Sequence, residues 1–161
     1  MAKKTLLSTV LGITFGSVGG AVTAGNLIAK KAKKWEDLSN KHLSLFLLTN
    51  EWLKIKQEGK SIREYFEQNN YKSVAVYGLS YIGERVLDEL KDSGIEVKYA
   101  IDRNADSIYA DVDLYSVEDE LPSADVIVVT AVYFYDEIYN NLLDKVSCPI
   151  VSLEDILYEI S

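Results

Sequence analysis

A chain of 161 residues with 48% hydrophobic content can build one packed core plus an appendage, and a multidomain enzyme does not fit. Its formal net charge of -8 conceals two halves of opposite sign: residues 1–70 carry 11 basic and 6 acidic side chains, residues 71–161 carry 6 and 19. So acidic a second half excludes nucleic acid as a partner, because that binding depends on Lys and Arg neutralising phosphates. The lone Cys148 cannot close an intramolecular disulfide, and the lone His42, with no cysteine nearby, lacks the usual zinc spacings; a reducing compartment is expected.

From the amino terminus, no charge interrupts the chain between Lys4 and Lys30. Thr5–Ala29 supplies roughly 25 residues, about 37 Å as a helix, enough to cross a hydrocarbon core. Residues 1–30 are therefore expected to form a transmembrane anchor. Gly12, Gly16 and Gly20 recur at the spacing that lets two membrane helices approach closely, so a homo-oligomer through that face is an expectation alongside simple tolerance of glycine in lipid. Val22-Thr23-Ala24 also has the form of a signal-peptide cleavage site, but Lys30, Lys31, Lys33 and Lys34 follow at once and resist translocation. These lysines outweigh Lys3 and Lys4. The positive-inside rule then places everything after Ala29 in the cytoplasm, in a single-pass protein whose lysines meet anionic lipid.

Residues 31–70 read as a helical stalk. Trp35, Leu38, His42, Leu45, Trp52 and Ile55 recur at helical steps as far as about Glu58, and Leu43, Phe46, Leu47, Leu48 and Leu53 widen the apolar surface beyond one seam. Such a helix has to bury against the globular part, a second copy or the membrane interface. His42 is a flank residue there. Gly59 ends the helix, Ser61-Ile62-Arg63-Glu64 has the form of a capping box opening a short helix through Glu67, and Asn69-Asn70 closes it.

Residues 71–161 alternate strand and helix. An apolar strand from Val74 runs into a glycine turn and an amphipathic helix; Glu96–Asp102 is a second strand, Asp111–Tyr115 a third, and Asp125–Thr130 a fourth that is apolar almost throughout. Tyr135–Leu143 is helical, Pro149–Val151 a fifth strand and Leu153–Ile160 a last helix. This alternation predicts an α/β fold with a doubly wound parallel sheet in the order 3-2-1-4-5. Ligands of such sheets sit outside the carboxyl ends of the strands, where the winding reverses.

The turn at that point, Gly78-Leu79-Ser80-Tyr81-Ile82-Gly83, matches the Rossmann fingerprint G-x-G-x-x-G at its first and third glycines, with Ser80 in place of the second. Asp102 lies where an acid that accepts from ribose hydroxyls is expected, and Arg103 is the nearest cation for a phosphate. Gly78, Ser80, Tyr81, Ile82, Gly83, Asp102, Arg103 and Thr130 are thus the candidate binding residues, set against the plainer reading that the glycines only shape a tight connection, Asp102 only caps a strand end and Thr130 is only the polar end of a buried strand. Tyr133, Phe134 and Tyr135 either wall a base or sugar pocket or pack a helix.

The segment YGLSYIGERVLDELKDSGIEVKYAIDRNAD, with VIVVTAV and CPIVSLEDIL further on, resembles the amino-terminal Rossmann domains of bacterial sugar acetyltransferases and of membrane-bound nucleotide-sugar dehydratases for surface polysaccharide. The likeness covers residues 71–158 and implies binding of a nucleotide or nucleotide-sugar, with Gly78, Ser80, Gly83, Asp102 and Arg103 lining the site. The catalytic domain that follows in those families is absent from this sequence. The amino-terminal third is similar to the glycine-zipper anchors of small Gram-positive membrane proteins. No tyrosine of the second half has a lysine four residues on, as short-chain dehydrogenases do, and no nucleophile–base pair stands out. The expectation is a binding accessory subunit beside a glycosyltransferase or another polysaccharide-assembly protein, with NAD(P)-dependent enzyme subunit and empty scaffold as alternatives.

Overall fold

The computed structural model describes the backbone from Ala2 and the side chains from Ile28 to Ser161. Nearly all side chains of the expected anchor, those of the Val22-Thr23-Ala24 site included, lie outside the ones so described, and so does the expectation for Gly12, Gly16 and Gly20. Among the described residues no helix is long and apolar enough to cross a membrane. The chain divides into two compact units, residues 1–42 and Leu43–Ser161. In the first, helix α1 (Ala2–Gln57) begins, and every described side chain from Ile28 to His42 is exposed, Trp35 and the lysines included.

The second unit contains the carboxyl end of α1, then α2 (Arg63–Gln68), β1 (Ser73–Tyr77), α3 (Tyr81–Leu90), β2 (Glu96–Ile101), β3 (Leu114–Tyr115), β4 (Val126–Val129), α4 (Tyr135–Leu142), β5 (Ile150–Ser152) and α5 (Leu153–Ile160). All five strands run parallel in the order β3-β2-β1-β4-β5. That is the order expected from the sequence. β1 lies in the middle, Val74 to Tyr77 pairing with Val126 to Val129 on one side and with β2 on the other. The third strand is shorter than expected, because Asp111–Asp113 approach the sheet as an irregular edge and only Leu114 and Tyr115 join the ladder.

Alternation of side chains along the strands divides the core into two layers. Val74, Val76, Ala100, Val126 and Val128 face α3, α5, α2 and the end of α1; Ala75, Tyr77, Tyr99, Ile101, Ile127, Val129 and Ile150 face α4. Both faces of the central strands are thus covered, which is why β1 and β4 read as unbroken apolar runs.

The last turns of α1 are part of this core. Leu48, Trp52 and Ile55 are buried against it, whereas Leu43, Phe46, Leu47 and Leu53 on the far side of the same helix are exposed. Gly59, at φ +78°, ends the helix in the left-handed conformation that glycine adopts without strain. The capping box is formed in part: Glu64 accepts from the Ser61 amide at 3.1 Å, while Ser61 Oγ accepts from the Arg63 amide at 3.2 Å. The joint is fixed from α3 by Glu89. Its largely buried carboxylate accepts from Trp52 Nε1 at 2.8 Å, Ser61 Oγ at 3.0 Å and the Ile62 amide at 3.0 Å, and meets Lys56 Nζ at 3.1 Å.

Candidate functional site

β1 ends at Tyr77, in the centre of the sheet, and the chain must turn there to bring α3 back across one face. Gly78 makes the turn at φ +96°, and a Cβ on it would lie 2.9 Å from Thr130 Oγ1. Gly83, one turn into α3, packs directly on that turn: a Cβ there would lie 2.1 Å from the Gly78 carbonyl oxygen. The two glycines therefore do what the first and third positions of the fingerprint require, a sharp turn and close packing of helix on strand. Thr130 completes the joint from the end of β4. It is buried, and its hydroxyl donates to the Gly78 carbonyl at 2.6 Å, with the Tyr77 carbonyl 3.1 Å away.

The acid at the end of β2 is committed to the backbone. Asp102 Oδ2 accepts from the Leu79 amide at 2.8 Å and Oδ1 from the Asn104 amide at 2.9 Å, so the carboxylate ties the β1–α3 turn to the β2–β3 loop. Arg103 is exposed and points to the other side of the sheet edge, where its guanidinium meets Glu137, in the first turn of α4, at 2.5 Å. The hydrogen bond to Glu137, and after it one to Tyr77, raise the Arg103 pKa and hold the group in its charged form. Ile82 is buried in the core layer beneath α3. Ser80 and Tyr81 are exposed, Tyr81 at 86%. Of the eight sequence candidates, Gly78, Gly83, Thr130 and Asp102 meet in one hydrogen-bonded joint, Ser80 and Tyr81 form its solvent face, Ile82 lies beneath it, and Arg103 belongs to a separate ion pair.

The amides of the first turn of any helix lack carbonyl partners within the helix and carry partial positive charge. The three helices that follow strands at this edge treat theirs differently. α5 is capped by Ser152, whose Oγ accepts from the Glu154 amide at 3.2 Å, and has Glu154 and Asp155 in its first turn. α4 has Asp136 and Glu137 there. α3 has Ser80 at its N-cap in extended conformation with no side-chain cap hydrogen bond, and its one first-turn acid, Glu84, lies 3.6 Å from Arg85. The N-cap of α3 thus supplies no side-chain acceptor of its own, and the carboxylate beside its entry, Asp102, is spent on the Leu79 and Asn104 amides.

A hollow of about 200 Å³ opens at the ends of β4 and β5, lined by Tyr133, Tyr135, Asp136, Ser152, Glu154 and Asp155. Its carboxylates repel phosphate and accept from hydroxyl groups. Tyr133 and Phe134 stand edge to face with centroids 5.1 Å apart, and the Tyr135 hydroxyl is fixed by donating to the Ile150 carbonyl at 2.9 Å. The aromatic run is thus divided between a pocket wall and helix packing. Cys148 is half-buried, and burial pushes its thiol pKa up, away from the reactive thiolate. Sequence reading missed Leu79, whose contribution is a backbone amide, and Glu137, which no spacing links to Arg103.

Known protein families, curated proteins and solved structures offer no match to this chain.

Proposed function

We propose that the protein is a membrane-anchored accessory subunit of cell-surface polysaccharide assembly, whose acidic α/β unit faces the cytoplasm and binds a nucleotide or nucleotide-sugar. The observation that carries the binding role is the uncapped start of α3 behind the Gly78 and Gly83 turn, at the centre of a parallel 3-2-1-4-5 sheet. A phosphate bound there takes its hydrogen bonds from the amides at Ser80 to Ile82, so an acidic domain needs no cluster of basic side chains. The acid-lined hollow at β4 and β5 suits hydroxyl-bearing groups such as a sugar. The anchor and the polysaccharide setting rest on the uncharged Thr5–Ala29 stretch and on the resemblance of residues 71–158.

Both oxygens of Asp102 already accept from one backbone amide each, and a ribose diol would have to share the lone pair left on each. Calorimetry of the full chain, reconstituted in phosphatidylcholine nanodiscs, with UDP-sugars, UDP, NAD and NADP tests the reading. A UDP-sugar or UDP is expected to bind with micromolar affinity and to outcompete NAD. Preferential NAD binding, or heat from none of the four, contradicts it.

A further inference from the structure

Parallel neighbours in a sheet need a crossover of a dozen or more residues, usually with a helix that covers the sheet face. Between Ile101 at the end of β2 and Leu114 at the start of β3 there are twelve residues, 102–113, and the one regular feature among them is a single 3-10 turn at Ala105–Ser107. Among the described residues the crossover thus supplies no helix to lie beside α3 over the β2–β3 edge. A groove of about 580 Å³ runs there instead, from Leu79 past Leu87 and Leu90 to Ile95 and Val97, with Ala110 and Val112 as its far wall.

The floor is apolar and its side chains are half-buried or buried, so the groove is a continuation of the core layer that the short crossover leaves open. Its rim is acidic. Glu84, Asp88, Asp92 and Asp111 face Arg85 and Lys91, and Arg85 is already held by Asp88 at 3.0 Å and Glu84 at 3.6 Å. Tyr109 stands at the mouth with 95% of its surface exposed, an aromatic ring placed to cover an occupant. α3 is 10 residues long, about 15 Å, and a helix of two to three turns laid alongside it spans the groove.

We propose that this groove is a docking site for a short, basic amphipathic helix of a partner protein, which takes the place of the crossover helix that the fold lacks. Leucine-like side chains at i, i+3, i+4 and i+7 fill the apolar floor, and flanking Lys or Arg side chains meet the carboxylates of the rim. Charge selects this occupant: the groove stands in a half-chain with 19 acidic and 6 basic side chains, which attracts a basic segment and repels an acidic one. Nucleotide binding plays no part in this proposal, and no nucleotide is present in its test.

The test uses the full chain in phosphatidylcholine nanodiscs and a fluorescent synthetic helix of about four turns, leucine at i, i+3, i+4 and i+7 and lysine elsewhere, followed by anisotropy. Two control peptides carry glutamate for lysine, or a central proline pair that breaks the helix. The lysine helix is expected to bind about tenfold more tightly than either control, and the exposed double substitution Asp88→Lys with Asp111→Lys to weaken it about tenfold. Ala110→Trp, which fills the groove, is expected to abolish binding. Equal binding of the proline-broken peptide, equal binding to empty nanodiscs, or an affinity within about twofold of wild type for the double-lysine variant would overturn the proposal.

Discussion

At the scale of single residues, the joint between β1, α3 and β4 is set by atoms with almost no room to move. A methyl group on Gly83 would overlap the Gly78 carbonyl at 2.1 Å, so Gly83→Ala is expected to displace α3 and cost more than about 3 kcal/mol in urea unfolding. Thr130→Val keeps the shape but removes the donor to Gly78, with an expected loss of about 1–3 kcal/mol in the same measurement. The glycines were readable in the sequence because their conformational and steric roles belong to their residue type. For Asp102 the sequence left a ribose contact and a strand-end cap both open, and the partners it has here are backbone amides, which every residue carries. Tyr99 supplies a pH prediction. Burial, and after it the neighbouring Cys148 and Tyr115, push its pKa from 10.0 up to about 12. The unfolded chain then loses this proton before the folded one does. The associated stability is complete below about pH 10 and is lost between pH 10 and 12, a slope that Tyr99→Phe should flatten in alkaline unfolding curves.

At the scale of elements, α1 shows where periodicity stops being informative. The helix carries apolar side chains on two faces, and spacing alone does not say which face is buried; Glu89 decides it by fixing Trp52 and the α1–α2 joint to α3. Glu89→Ala leaves the Trp52 indole, the Ser61 hydroxyl and the Ile62 amide without their acceptor, and an expected loss of about 2–4 kcal/mol follows. Native-state hydrogen exchange should show α1 from Leu43 and α2 opening earlier in that variant, with β1 and β4 unchanged. Strands β1, β2 and β4 were legible because burial on both faces or one face leaves a clear pattern. β3 was overestimated because two ladder residues at an edge leave none.

At the scale of the whole molecule, charge divides the labour. The basic, exposed Lys30–Lys41 segment carries 5 of the 17 basic side chains, and in the proposed function the acidic unit beyond it binds its anion with backbone dipoles. A reporter fused after Ser161 should be active in the cytoplasm and inactive outside the cell, and the chain should sediment with membranes. The central claim is that the amides at the start of α3 form the anion site, and Ser80→Asp tests it most directly. Aspartate at that exposed N-cap supplies the missing acceptor and a negative charge where the proposed ligand phosphate would lie. Calorimetry with a UDP-sugar on wild type and Ser80→Asp, beside their melting temperatures, should show a variant as stable as wild type or more so, with nucleotide affinity reduced at least about tenfold. Unchanged affinity in a folded Ser80→Asp protein would contradict the account.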